Sequence, residues 1–277
     1  MIRLVASDVD GTLVEDGAAK LPEGMAQTIE ELVDCGVVFV AASGRSVISI
    51  ENLFGRIKHK IYYAGCNGTL VGRYHDIMFT ELVDGDMLRA MVADIKKYDC
   101  AVPFLTGAGT MYAEERDRDV ISWLSDGYHE KIMIVDDLAS VTAPCVKLSI
   151  YDKNLDSAGS FKPFVEKWHE DVMIVTAGTM WLDVIKKGVD KGTALRRLQE
   201  SLKISREETL AIGDQRNDIG LLKAAGISVA IGNALPEVKA IADYVADTNL
   251  ELGAMKVFRR MIEERTRLER ASAAEDQ

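Results

Sequence analysis

Nearly continuous apolar runs alternate with amphipathic stretches at both ends of the chain. IRLVAS (2–7) and VVFVAAS (37–43) lack polar alternation and read as buried strands. Between them, LPEGMAQTIEELVDCG (21–36) spaces its apolar residues for a helix, with Pro22 near the start and Gly36 closing it. SVISIENLFGRI (46–57) resumes the helical pattern. The rhythm returns with helix KGTALRRLQESLKI (191–204), strand TLAIG (209–213), helix NDIGLLKAAG (217–226) and strand ISVAIG (227–232). A short helix PEVKAIA (236–242), a short strand DYVAD (243–247) and a closing helix over 250–268 follow, with a frayed tail over 271–277. Such alternation predicts a parallel sheet covered on both faces.

Residues 83–185 have a different texture. A helix (GDMLRAMVADIKKY, 85–98) precedes the strand-like pieces AVPFLT (101–106), TMYAEE (110–115), KIMIVD (131–136) and CVKLSIYD (145–152). A helix over AGSFKPFVEKWHE (158–170) and strands VMIVTA (172–177) and MWLDVI (180–185) complete the segment. Strands with few intervening helices predict an antiparallel sheet with helices on one face. The expected fold class is therefore α/β. A Rossmann-like doubly wound parallel sheet forms from residues 1–82 and 186–277, and an α+β domain, residues 83–185, is inserted into it.

Composition narrows the possible partners. The 277-residue length suits one large domain or two smaller ones, and 48% hydrophobic residues can supply a sizeable core. A net charge of −11 argues against a nucleic-acid partner, which needs a basic face. It leaves room for a small phosphorylated substrate, because a lysine or a metal ion can reverse the field inside a cleft. Cys35, Cys66, Cys100 and Cys145 form no CxxC motif, so reduced thiols in a cytoplasmic protein are expected. No apolar stretch approaches the ~20 residues needed to span a bilayer, and the start of the chain has no signal-peptide pattern. No membrane partner is expected, and a monomer is the default.

Four strand or helix ends carry polar groups suited to phosphoryl chemistry. DVDGT places Asp8 and Asp10 at the carboxyl end of the first strand, where open parallel sheets bind ligands. Two carboxylates so close suit a hard cation such as Mg²⁺; taken alone, they also suit a solvated turn. ASGRS puts Ser43 beside helix-start amides that can hold phosphoryl oxygens, or that serine caps a helix. VDKG puts Lys191 in the first turn of a helix, where the dipole disfavours a cation unless an anion faces it. GDQRND supplies Asp214, Asn217 and Asp218 after another buried strand, as metal ligands or as caps.

Together DVDGT, SGR, the VDKG lysine and GDQRND resemble the haloacid dehalogenase superfamily of phosphohydrolases. The closer resemblance is to its Cof-like subclass IIB branch, which carries a large C2-type α/β cap. CNG (66–68), GVDKGTAL and AAGISVAIGNALPEVKAIADYVAD support it, and the similarity spans residues 1 to about 265. The resemblance implies a Mg²⁺-dependent phosphatase acting on small phosphomonoesters such as sugar phosphates. In it Asp8 is the nucleophile, forming an aspartyl phosphate, and Asp10 is the general acid/base, with a backbone carbonyl on the metal. Ser43 holds a phosphoryl oxygen and Lys191 offsets charge. Asp214 ligates Mg²⁺ directly and Asp218 from further out.

The same resemblance puts Gly44, Arg45, Asn67, Asn217 and Asn233 on loops that line the pocket or merely hold it together. Arg216, Lys186 and Lys187 stand as candidate anion contacts or solvated charges. Trp181, Trp168 and the methionines are read as core. A phosphomutase of the same fold is the alternative. A phospho-accepting receiver-like module is the other, although storing a phosphoryl group gives no use for Asp10. Every functional reading requires Asp8, Asp10, Ser43, Lys191 and Asp214 to meet at one cavity.

Overall fold

Two sheets organise the computed structural model, which describes residues 1–275. The first part of the chain supplies β1 (Leu4–Asp8), α1 (Met25–Asp34), β2 (Val38–Ala42), α2 (Val47–Phe54), β3 (Tyr62–Gly65), β4 (Leu70–Arg73) and β5 (Asp76–Thr80). Next come α3 (Gly85–Ile95), β6 (Ala101–Gly107), β7 (Met111–Glu114), α4 (Arg118–Gly127), β8 (Ile132–Val135) and β9 (Cys145–Asp152). Then follow α5 (Ser157–Ser160), α6 (Lys162–Trp168), β10 (Val172–Ala177) and β11 (Trp181–Lys186). The chain ends with α7 (Lys191–Leu202), β12 (Thr209–Gly213), α8 (Ile219–Lys223), β13 (Ile227–Ala230), α9 (Pro236–Lys239), β14 (Tyr244–Val245) and α10 (Gly253–Glu275).

The larger sheet has the order β14-β13-β12-β1-β2-β3-β4-β5 and is parallel from β14 through β3, with β4 and β5 antiparallel. β1 lies inside it, with Leu4 opposite both Thr209 and Val38. Both faces are covered, which explains the missing alternation. Val5, Phe39, Ala41 and Ile212 pack with Ile29, Leu32, Ile50 and Phe258 of α1, α2 and α10. Leu4, Ala6, Val40 and Ala211 pack instead with Leu195, Leu198 and Leu221 of α7 and α8.

The smaller sheet has the order β10-β11-β9-β6-β7-β8. It is antiparallel except where β7 and β8 pair in parallel. The cause is α4, a helix the sequence analysis does not expect, which packs Leu124 with Val120 and Ile121 onto the sheet. A helical crossover between neighbouring strands returns the chain in the same direction. Helices also lie on both faces rather than one. Ala101 and Leu105 of β6 join a cluster with Met91 of α3 and Phe164 of α6, whereas Val102 and Phe104 join Leu124 of α4.

Local boundaries shift for local reasons. The helix expected over 158–170 is two pieces, α5 and α6, with Phe161 between them outside the helical region and Pro163 in the first turn of α6. β3, β4 and β5 were not foreseen. The closing helix starts at Gly253 and runs through Glu275, so the tail expected to fray is helical that far; residues 276–277 lie outside the described part. Cys35, Cys66, Cys100 and Cys145 are free thiols. Among the described residues no helix is long and apolar enough to cross a membrane.

Candidate active site

β12, β1 and β2 are neighbours and parallel, so their carboxyl ends lie side by side. Asp8 closes β1, Ser43 follows β2 and Asp214 follows β12. Lys191 opens α7, whose N-terminus is closed by a reciprocal cap between Asp190 and Thr193. A Cβ on Gly192 would overlap the Gly220 carbonyl, so glycine there lets α7 approach α8 closely. That approach seats the Lys191 ammonium 2.5 Å from Asp8 Oδ1 and 2.7 Å from Asp218 Oδ1, with 1% of its side chain exposed. The anionic partners offset the dipole that disfavours a cation at this helix end.

Asp8, Asp214 and Asp218 are buried, and one carboxylate oxygen of each lies within 4.8 Å of the others. Thr12 Oγ1 donates to Asp214 Oδ1 at 2.7 Å. Gly11 has φ +80°, and a Cβ there would overlap the Asp214 carboxylate. Asp218 Oδ2 accepts the amides of Asp214 (3.0 Å) and Gln215 (2.9 Å), which fixes the turn. Burial, followed by the Asp218 charge, raises the Asp8 carboxyl well above the usual range despite Lys191. The same two causes push Asp214 up to about 6. One lysine does not balance three buried carboxylates, and an all-oxygen set short of positive charge fits Mg²⁺.

Asp10 stands apart from this cluster. Arg45 Nε meets its Oδ2 at 2.8 Å and Arg45 Nη2 its Oδ1 at 2.6 Å, while Gly17 N donates to Oδ1 at 3.2 Å. Arg45 also donates to the Ala18 carbonyl at 2.8 Å and lies 4.8 Å over the Tyr128 ring. Ser43 Oγ accepts from Arg45 N at 3.1 Å. Asn67, in the left-handed region at φ 57°, donates to Asp183 Oδ2 at 2.9 Å and accepts from Asn217 Nδ2 at 3.2 Å. Asn217 Oδ1 is buried without a partner.

One cavity of about 170 Å³ is lined by Asp8, Asp10, Ser43, Lys191 and Asp214, and Gly44, Arg45 and Asn217 share it. Other candidates lie elsewhere. Asn233 donates to the Gly11 carbonyl at 2.8 Å and accepts Asn249 N, holding the loop. Arg216 pairs with Glu237 at 2.6 Å and Lys186 with Glu81 at 2.6 Å, both largely exposed. Lys187 pairs loosely with Glu170 at the surface. None of these three cations lines the cavity.

Several lining residues escaped the sequence reading. Lys147 Nζ donates to the Gly44 carbonyl at 2.8 Å and to Asp183 Oδ2 at 3.1 Å, and Ser149 Oγ donates to Asp183 Oδ1 at 2.7 Å. Ser46 Oγ donates to Glu130 at 2.6 Å. Trp181, taken as core, is half-buried and lines the cavity, as does Met111. A signal for part of this set was present. In CVKLSIYD and WLDVIK the residues 147, 149, 181 and 183 alternate with buried aliphatics, which places them together on one sheet face. Which object that face meets is not encoded in the alternation.

The fold and the site define a Rossmann-like α/β enzyme with a buried acid–lysine cluster at the carboxyl edge of its sheet. The chain belongs to the haloacid dehalogenase-like hydrolases, whose family model matches residues 5–258. It is similar to 5-amino-6-(5-phospho-D-ribitylamino)uracil phosphatases of Bacillus subtilis and Escherichia coli. The first is 26% identical over 264 residues and the second 27% over 266, each comparison covering 94% of this chain and 96% of the relative. A crystal structure from Eubacterium rectale is 31% identical, with a TM-score of 0.82 over 94% of this chain and 99% of that one. A subclass IIB sugar phosphatase shares the fold, with a TM-score of 0.78 at 23% identity over 94% and 98% of the two chains. The expected α/β class and the superfamily resemblance both hold.

Proposed function

We propose that this protein is a Mg²⁺-dependent phosphatase of small phosphomonoesters, working through a phosphorylated Asp8. The observation that carries this reading is the buried cluster of Asp8, Asp214 and Asp218 around the Lys191 ammonium, opening into a cavity. Mg²⁺ would be held by Asp8, Asp214 and Asp218 and, as the family resemblance implies, by the Asp10 backbone carbonyl. When bound it supplies neutralisation of phosphoryl charge.

Asp8 Oδ attacks phosphorus, forming an acyl phosphate as the bond to the leaving oxygen breaks. Asp10, which takes up a proton when Arg45 releases one of its oxygens, hands that proton to the leaving oxygen and then takes one from the water that cleaves the acyl phosphate. Arg45, gripping both Asp10 oxygens, holds the carboxylate in one orientation. Lys191 offsets charge gathering between Asp8 and the phosphoryl group. The Ser43 hydroxyl and the Asn217 amide, which line the cavity, would hold phosphoryl oxygens.

In this reading residues 83–185 act as the cap. The Lys147–Gly44, Asp183–Asn67 and Glu130–Ser46 contacts close it over the cavity and keep water and polymers out.

Phosphate release from a panel of phosphomonoesters tests the reading, with activity expected in Mg²⁺ and lost in EDTA. Full turnover in chelator would remove the metal role. Protons compete for the same oxygens, because Asp214 sits at about 6 and Asp8 is raised too. The Mg²⁺ concentration for half-maximal release should therefore rise by about tenfold or more between pH 7 and pH 5. The thermal stabilisation given by Mg²⁺ should shrink in parallel. A Mg²⁺ requirement flat across that range would show that these carboxylates do not bind it.

A further inference from the structure

Asp183 of β11 and Lys147 of β9 form an ion pair at 3.1 Å, with only 6% and 7% of their side chains exposed. A buried pair repays its desolvation poorly, so stability alone is a weak reason to keep one. Both ions are bonded further. Asp183 also accepts from Ser149 Oγ at 2.7 Å and from Asn67 Nδ2 at 2.9 Å, and Lys147 also donates to the Gly44 carbonyl at 2.8 Å. Gly44 and Asn67 lie outside residues 83–185, so two routes lead from this pair across to the larger sheet.

The first route runs through amides. Asp183 meets three donors and offers them only acceptor oxygens, so Asn67 must turn its NH₂ group toward it. The Asn67 oxygen then faces Asn217 and accepts from its Nδ2 at 3.2 Å. Asn217 is fixed in turn, with its second N–H still to give. The other route runs through a peptide plane. The Gly44 carbonyl and the Arg45 N–H point in opposite directions across one trans peptide. With the carbonyl on Lys147, that N–H donates to Ser43 Oγ at 3.1 Å, which leaves the Ser43 O–H to donate elsewhere. Both routes end on a neutral donor that lines the cavity.

We propose that Asp183 is a positioning residue: from the cap it sets the direction of the hydrogen bonds that leave Ser43 and Asn217 as donors to the phosphoryl group. Without it the two amides can turn over and present an oxygen to an anion, which repels it. The phosphoryl site is therefore complete only when the cap is closed on the core. This inference rests on the phosphatase reading and adds a residue to it.

Two readouts test it, both with Mg²⁺ present: the Kd of inorganic phosphate by isothermal titration calorimetry, and release of phosphate from p-nitrophenyl phosphate. Asp183→Asn keeps the size but removes the group that can only accept. The phosphate Kd should rise, and kcat/KM fall, by about tenfold or more, the worth of one hydrogen bond to a charged group. Asn67→Gly cuts the amide route with no change of charge, at a φ of 57° that glycine adopts freely, and should lose as much. The exchange variant, Asp183→Asn with Asn67→Asp, restores an acceptor facing Asn217 and should recover most of the loss; aspartate tolerates this φ as asparagine does. The rise in melting temperature given by Mg²⁺ should match the wild type in all three, because Asp8, Asp214 and Asp218 are untouched.

A phosphate Kd unchanged in Asp183→Asn overturns the proposal, as does an exchange variant no better than Asp183→Asn. Loss of phosphate binding together with the Mg²⁺ stabilisation overturns it too, because the damage is then general. Should circular dichroism show Asp183→Asn unfolded, Asn67→Gly and the exchange variant carry the same comparison. Hydrolysis that none of the variants alters removes the positioning role and leaves the phosphatase reading standing. No hydrolysis of any phosphomonoester, with phosphate binding still following this pattern, sinks the phosphatase reading and leaves the positioning role standing.

Discussion

Replacing Asp8 by asparagine is expected to lower kcat by on the order of a thousandfold or more, because the attacking oxygen becomes an amide. The change is nearly isosteric, so the packing at the end of β1 should survive. Stability provides the control. The Asp8 carboxyl is raised by burial and by Asp218, so the folded state binds its proton more tightly than the unfolded chain. Folding stability therefore falls as pH climbs from the unfolded carboxyl range toward the folded one. Asparagine has no such titration. In EDTA at pH 7.5 the variant should melt at or above the wild-type temperature by differential scanning calorimetry. Retained turnover would refute the nucleophile assignment, and a large fall in melting temperature would recast Asp8 as a structural residue.

Lys191→Met should lower both activity and stability, in a pattern that identifies the cause. Burial disfavours the ammonium, but Asp218 and Asp8 more than compensate and hold its pKa up. The ammonium therefore stays charged, and stabilising, throughout the neutral range. Methionine fills similar space yet leaves three buried carboxylates without their cation. The unfolding free energy in EDTA should drop by about 3–5 kcal/mol at pH 7.5, the range for breaking a buried pair. At pH 5 Asp8 and Asp214 can take up protons instead, so the loss should be smaller. Added Mg²⁺ should restore part of the stability, but turnover should remain about a hundredfold or more down. Urea titrations at the two pH values decide it. An equal loss at both would mean that Lys191 acts through packing rather than charge.

How much of this was legible depends on how local each signal is. Asp8, Ser43, Lys191 and Asp214 each stand at the end of an element whose apolar pattern marks that end, so the edge they occupy follows from the sequence. Lys191 also stood out because a cation opening a helix calls for an anion. Other features depended on partners far along the chain. Asp10 looked like a second member of the acid cluster, but Arg45, thirty-five positions on, draws its carboxylate away. Arg216 looked like a site cation and is taken up by Glu237 instead. Trp181 looked like core and is half cavity wall, because its strand presents one face to the aliphatic cluster and the other to the site.

The sequence by itself determined most strands of the two sheets, though not β3 to β5, together with the doubly covered strands at the centre of the larger one and the polar ends of β1, β2, β12 and α7. Periods of two and 3.6 residues, with glycines where a Cβ cannot fit, are properties of neighbouring residues. Only the tertiary structure decided that β7 and β8 run parallel, that Asp10 belongs to Arg45, and that Lys147, Asp183, Tyr128 and Trp181 close the cavity. Those outcomes turn on which surfaces meet across long stretches of chain. That is a matter of shape and of charge compensation at close range, and alternation along a strand fixes a face without naming what the face will touch.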